Sequence, residues 1–211
     1  MKFKFLSLLI VLYLLGTHAL YAQNLGVKLT GSLSKITIDY VDKATFTPTF
    51  SVGAYSDIIL SENLFFRPEL SYAMKGMNYK GDITRLHYIQ LPASFFYKTS
   101  FNSINTMEVG IGPYIGIAVG GKTTNNQVDK EIKFKNKISA TDDLSKYDYY
   151  KKYDVGGLLI LGYEYKNRVG AGVEMAISFM NIAAENNPQR INYKNVNFGF
   201  FITYNILSTN Q

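Results

Sequence analysis

The chain has no cysteine, no tryptophan and only five prolines in 211 residues. Without cysteine there can be neither a disulfide framework nor a thiolate metal site. Beyond Leu15 no apolar run approaches the roughly 20 residues that a helix needs to cross a bilayer, so any insertion into a membrane must be by strands. Charge of one sign is scarce too. The formal net charge of +6 includes Lys2 and Lys4 at the extreme N-terminus, and what remains is too mild to argue for nucleic acid as a partner. Proline- or serine-rich linkers and repeats of solenoid length are missing, and the length suits a single domain.

The first 22 residues have a separate character. Lys2 and Lys4 precede an apolar run from Phe5 to Leu15, followed by Gly16 and small residues at Ala19 and Ala22. That order of charge, apolar core and small-residue exit predicts a cleavable secretory signal peptide over residues 1–22. Residues 23–211 then form one exported domain, in which tyrosine and phenylalanine recur near segment ends.

Eight segments of that domain alternate with a period of two, the signature of strands with two unlike faces. They are Leu25–Ser34, Thr49–Ile59, Leu64–Met77, Arg85–Lys98, Asn105–Gly120, Tyr153–Tyr165, Arg168–Asn181 and Ile191–Ile206. Connections after the second, fourth and sixth segments are tight, whereas those after the odd ones are longer: Lys35–Pro48, Asn78–Thr84, Lys122–Lys152 and Ile182–Arg190. Short turns at one end and long loops at the other predict an all-β, eight-stranded antiparallel transmembrane β-barrel, an up-and-down meander with both termini at the short-turn end. Within the longest loop, the alternating run Glu131–Ile138 reads equally as a two-stranded ribbon protruding from the barrel or as a solvated loop.

A soluble barrel alternates as well, but with a polar exterior and an apolar interior. Charge density decides between them. Met107, Val109, Ile111, Pro113, Ile115, Ile117 and Val119 oppose Glu108, Gly110, Gly112, Tyr114, Gly116 and Ala118. The polar face is mostly small residues with one or two charges per strand, too sparse for a wet exterior. The uninterrupted apolar face suits lipid, where a mid-bilayer Lys or Arg costs about 2–4 kcal/mol.

Placing the polar face inside gathers Arg67, Glu69, Lys98, Glu108, Glu164, Arg168 and Glu174 in the lumen. Charges in so narrow a space must pair, and eight strands leave room for little more than side chains. A salt-bridged plug is therefore expected in place of an open channel.

Several blocks together resemble the outer-membrane β-barrel domain family of Bacteroidota, the porin-family and PorT-like proteins. They are N-L-G-V-K-L-T-G-S from Asn24, F-F-R-P-E-L-S-Y from Phe65, L-H-Y-I-Q-L-P-A-S-F-F-Y-K from Leu86, V-G-I-G-P-Y-I-G from Val109 and Y-D-V-G-G-L-L-I-L-G-Y-E from Tyr153. The resemblance spans the exported domain and implies an integral protein of the cell outer membrane, in contact with its lipid and lipopolysaccharide. In the last strand Asn197, Gly199, Ile202 and Tyr204 are similar to the signal read by the barrel-assembly machinery, although the chain continues to Gln211 and does not end on an aromatic residue. A PorT-like role would make the protein an accessory of a secretion system.

Catalysis is the rival reading, as a lipid-modifying outer-membrane enzyme. His87 is the only histidine after the leader; it falls on the lipid parity, and no adjacent motif supplies a serine nucleophile. Gly110, Gly112 and Gly116 precede no helix that could accept a phosphate. No catalytic, cofactor or metal site is expected. The remaining candidates are external-loop contacts, Lys133, Lys135, Tyr147, Tyr149 and Tyr150, whose residue types suit a protein or glycan partner. The expected role is that of a structural or interaction barrel, with a narrow pore as the variant.

Overall fold

The computed structural model describes residues 22–38, 44–102, 104–125, 129–185 and 192–208, which form strands and their connections without a helix. The predicted signal peptide lies outside the described residues except for Ala22. The described residues form eleven strands: β1 (Ala22–Ile38), β2 (Ala44–Thr45), β3 (Thr47–Ile59), β4 (Leu64–Tyr79), β5 (Asp82–Asn102), β6 (Asn105–Thr124), β7 (Lys130–Phe134), β8 (Tyr147–Tyr150), β9 (Tyr153–Tyr165), β10 (Val169–Ser178) and β11 (Tyr193–Ser208).

Eight of them close a ring. β1, β3, β4, β5, β6, β9, β10 and β11 pair antiparallel in that order, and β11 returns to β1 from Asn24↔Ser208 to Ile38↔Tyr193. Closure satisfies the backbone groups that an open sheet would leave bare at its edges, the condition for standing in hydrocarbon. The fold is an eight-stranded antiparallel β-barrel.

Its two faces separate along every strand. On β6, Met107, Val109, Ile111, Ile115, Ile117 and Val119 project outward, while Glu108, Tyr114 and Ala118 are buried inside. Outward residues of the neighbouring strands, among them Leu70, Leu91, Leu159, Val173, Phe200 and Ile202, extend this apolar band around the ring. Near the short-turn end the outward positions turn aromatic, with Tyr97, Phe101, Tyr163, Tyr165 and Tyr204 exposed. Rings with a polar tip are favoured at that depth, where hydrocarbon meets headgroups.

Three connections differ from the sequence expectation. The loop expected over Asn78–Thr84 is a two-residue turn, Lys80-Gly81, both with positive φ (53° and 96°). This is the hairpin turn whose twist matches its flanking strands, so β4 and β5 run on above the barrel wall. β10 stops at Ser178, short of Asn181, because Phe179 bonds back to the Val155 carbonyl and the chain turns over the barrel mouth. The Lys122–Lys152 segment folds. β7 pairs antiparallel with β6 and parallel with β8, and its Ile132 and Phe134 face the barrel mouth.

Candidate functional site

The lumen holds three stacked groups of charge. Nearest the short turns, Arg67 of β4 meets Asp57 of β3 and Glu108 of β6. Its Nε and Nη2 donate to Asp57 at 2.5 and 2.8 Å, and its Nη1 and Nη2 donate to Glu108 at 3.1 and 3.0 Å. The guanidinium lies between the rings of Tyr55 and Phe96, 4.4 and 4.1 Å from their centroids. A planar cation with two bidentate carboxylates and two aromatic faces uses nearly all of arginine's binding capacity. Lys98 of β5 completes the group, 2.8 Å from Asp57, 3.5 Å from Glu108 and 3.7 Å from Glu164 of β9. Asn205 of β11 donates to Glu164 at 3.3 Å and accepts from Tyr55 at 2.7 Å.

Above it, Lys28 of β1 bridges Glu69 of β4 at 2.6 Å and Glu174 of β10 at 3.1 Å. Highest in the barrel, Lys75 of β4 meets Asp154 of β9 at 2.9 Å, and Asp154 also accepts from Tyr114, Ser178 and Asn195. Between these two groups lies a polar cavity of about 20 Å³, lined in part by Ser32, Lys75, Gln90, Glu174 and Asn197. That is space for one water molecule, not a passage.

Small residues make this packing possible. A Cβ on Gly199 would lie 2.5 Å from Thr30 Cγ2, and one on Gly110 would lie 2.5 Å from the Phe96 ring. The lumen is filled to the point where even a methyl group would collide.

At the long-loop end the filling changes from polar to apolar. Ile36, Met77, Leu86, Tyr88, Ala118, Ile132, Tyr150 and Ile182 form one buried cluster with Phe134 and Tyr193 against it. Ile132 comes from β7, Tyr150 from β8 and Ile182 from the segment after β10. Their backbones are tied together by Lys151 N to Ile182 O at 2.7 Å, Lys135 N to Tyr150 O at 2.9 Å and Ile182 N to Tyr193 O at 2.9 Å. The loops thus cap the mouth.

Of the lumen residues expected from sequence, Arg67, Glu69, Lys98, Glu108, Glu164 and Glu174 meet inside. Arg168 does not. Tyr165–Arg168 is a tight turn closed by Arg168 N to Tyr165 O at 3.0 Å, with Lys166 and Asn167 at φ 52° and 51°. Arg168 is the last residue of that turn, its carbonyl accepting from Asn205 N at 2.8 Å, and its exposed guanidinium lies 5.8 Å from the outward ring of Tyr204. Asp57, Lys28, Lys75 and Asp154 belong to the network without having been singled out as site residues. Lys28, between the outward Val27 and Leu29, carried the clearest signal, by parity.

Asn197 accepts from Ser34 at 2.6 Å and Gly199 faces the lumen, while Ile202 and Tyr204 face outward on the closing strand. Tyr149 and Tyr150 are buried at 8% and 5% exposure. Tyr150 is therefore a piece of the cap and not a free contact. Lys133 and Lys135 are exposed but engaged, Lys133 Nζ lying 3.4 Å from the Tyr147 centroid and Lys135 pairing with Asp142 at 2.5 Å. His87 stands on the outward face with Nδ1 2.5 Å from Tyr72 Oη, its one hydrogen-bond partner among the described residues. No cluster of three or more metal-ligating side chains occurs among the described residues.

The closed antiparallel ring agrees with the sequence comparison. The family model for the outer membrane protein beta-barrel domain matches residues 21–184. The chain belongs to this family. The match runs through β10, and β11 closes the ring beyond it. No curated protein matches the chain. Among solved structures it is similar to Neisserial surface protein A, at 11% identity over 85% of this chain and 96% of that one, with a TM-score of 0.48. It is also similar to Ail, the attachment invasion locus protein of Yersinia pestis, solved with the heparin analogue sucrose octasulfate. That likeness has 9% identity, 87% and 99% coverage and a TM-score of 0.44. The outer membrane enzyme PagL is similar at 12% identity, 84% and 99% coverage and a TM-score of 0.42. Membership of the family places this barrel in the outer membrane.

Proposed function

We propose that this outer-membrane barrel is non-conducting and non-catalytic, a membrane-held platform whose loop end faces outward to recognise a partner. The observation that carries this reading is the filling of the lumen: three charged groups, a cavity of about 20 Å³ and an apolar cap of loop residues lie in series. An eight-stranded barrel filled in this way leaves no route for a hydrated ion. His87 is committed to Tyr72 on the lipid side, which supports a positioning contact and not a general base beside a nucleophile.

Export by the leader over residues 1–22, and assembly through Asn197, Gly199, Ile202 and Tyr204, belong to the same proposal. A PorT-like branch of the family would put the partner in a secretion apparatus. The test is conductance of the refolded protein in a planar bilayer, with heat-modified gel mobility as the check on folding. A silent, heat-modifiable barrel is expected. Stable ion-selective steps would overturn the reading, and because acids outnumber bases in the described lumen they would select cations.

A further inference from the structure

Beside the cap, the folded loops enclose a recess of about 280 Å³ open to the outside. Five tyrosines line it, Tyr79, Tyr147, Tyr149, Tyr150 and Tyr193, together with the carboxylates of Asp82 and Asp148 and no lysine or arginine. These residues come from the end of β4, the start of β5, β8 and the start of β11, so the recess exists only while β7 and β8 are folded over the mouth. Two pairs of rings stand edge-on or tilted to one another, Tyr147 with Tyr149 and Tyr150 with Tyr193.

The two carboxylates are poorly compensated. Asp82 has no ion pair or hydrogen bond among the described residues, and Asp148 has only Lys130 at a distant 3.8 Å. Burial pushes the phenols of Tyr150 and Tyr193 above the usual tyrosine range, and the charge of Asp148 adds to both, so its carboxylate bears on the same space. Tyrosine faces attract cations through the ring quadrupole. The chain already uses them so at this end: Lys133 and Lys146 lie 3.4 and 5.4 Å from the Tyr147 centroid, Lys135 5.7 Å from that of Tyr149 and Lys80 5.4 Å from that of Tyr79, while Tyr150 and Tyr193 carry no such lysine among the described residues.

We propose that this tyrosine cup binds one organic cation of side-chain size, a protonated or alkylated amine, between the ring faces and the carboxylates of Asp82 and Asp148. The group can be free in solution or carried on a basic side chain of a partner. A neutral sugar would use the same rings but leave Asp82 without an opposing charge and Asp148 with only the distant Lys130, so the cation is the better match. The proposal names the ligand chemistry of the recognition surface and rests on the reading of the loops as that surface.

The experiment titrates the full barrel, in an uncharged detergent free of choline headgroups, with choline and with its neutral isostere 3,3-dimethylbutanol, reading tyrosine fluorescence. A second arm compares a tripeptide with a central lysine against its norleucine analogue. Saturable choline binding, at least tenfold tighter than the isostere and weakened at least tenfold by Asp148→Asn, is the expected result. Lysine peptide binding in addition points to a partner protein, and choline binding alone to a free cation. Equal affinity for the isostere, an affinity unmoved in the Asp82→Asn/Asp148→Asn double variant, or preference for a methyl glucoside would overturn the proposal. Heat-modified mobility shows that each variant is folded. Silent conductance alongside a failed titration would refute the cup while leaving the plugged barrel standing.

Discussion

The two ends of the lumen are closed by opposite physics. At the short-turn end, Arg67 and Lys98 are sealed in by Asp57, Glu108 and Glu164. At the loop end, Leu86, Tyr88, Tyr150 and Ile182 exclude water with almost no polar contact. The charged end is built wholly from wall residues, each fixed by the register of a strand paired on both sides. The apolar end takes Ile132, Phe134, Tyr150 and Ile182 from outside the wall. An ion-pair network tolerates no missing partner, because the orphaned charge remains buried, whereas an apolar cap can loosen and rewet. The charged end should therefore behave as part of the barrel's stability and the cap as a separable unit.

The largest expected effect tests the first half of that contrast. Arg67→Ala leaves Asp57 and Glu108 with Lys98 as their one cation, shared with Glu164, and should cost about 3–5 kcal/mol, seen as a lower urea midpoint in detergent. Glu108→Gln should cost less, since Asp57 still holds the guanidinium. An unchanged midpoint for both variants would dissolve the network as a structural device.

Ile182→Ala tests the second half. Ile182 is fully buried but lies outside the barrel wall, so the loss should fall near the low end of large-to-small costs, about 2 kcal/mol. The loss should appear as faster proteolysis of the segments around β7 and β8, with the heat-modified mobility of the barrel unchanged. If Ile182→Ala lowered the barrel's own unfolding midpoint as far as Arg67→Ala does, the two ends would be one cooperative unit.

The same contrast explains what could be read from the chain alone. On β4 and β6 the alternation is unbroken, and it suffices to put Arg67, Glu69 and Glu108 on the inward face. Asp154 escaped notice because it stands one residue inside its strand, where parity has little context, and Asp57 because its partners lie on β4 and β5. Arg168 has inward parity, yet it closes a turn whose Lys166 and Asn167 have positive φ, and the period of two does not carry through such a turn. The cap was illegible for a deeper reason: Ile132, Tyr150 and Ile182 meet through pairings between distant loops, and no local period encodes those. Lys80-Gly81 was hidden by its flanks, whose polar residues read as loop although they pair. Replacing Lys80 by Asn, better suited to a left-handed position before glycine, should stabilise that hairpin by under about 1 kcal/mol. A loss in its place would mean that Lys80 matters through its contact with Tyr79.

The smallest effect lies furthest from the barrel. The hydrogen bond from Lys135 holds the Asp142 carboxyl below the usual carboxylate range, and the Ser139 amide adds to it. A carboxyl whose folded value is depressed stabilises the loop fully above its unfolded value of about 3.9, and the contribution disappears as the pH falls through the lower folded value. Acidification from pH 5 to pH 3 should therefore loosen the turn over residues 135–142. Lys135 is exposed, so salt should screen the same contact at neutral pH. Hydrogen exchange of the Ser139 amide reads this directly. Faster exchange on acidification, after correction for the intrinsic pH dependence, is expected in the wild type and not in Asp142→Asn. Exchange that ignores both pH and salt would show that the loop is held by β7, β8 and the cap alone, making the apolar end more self-sufficient than its polar fringe suggests.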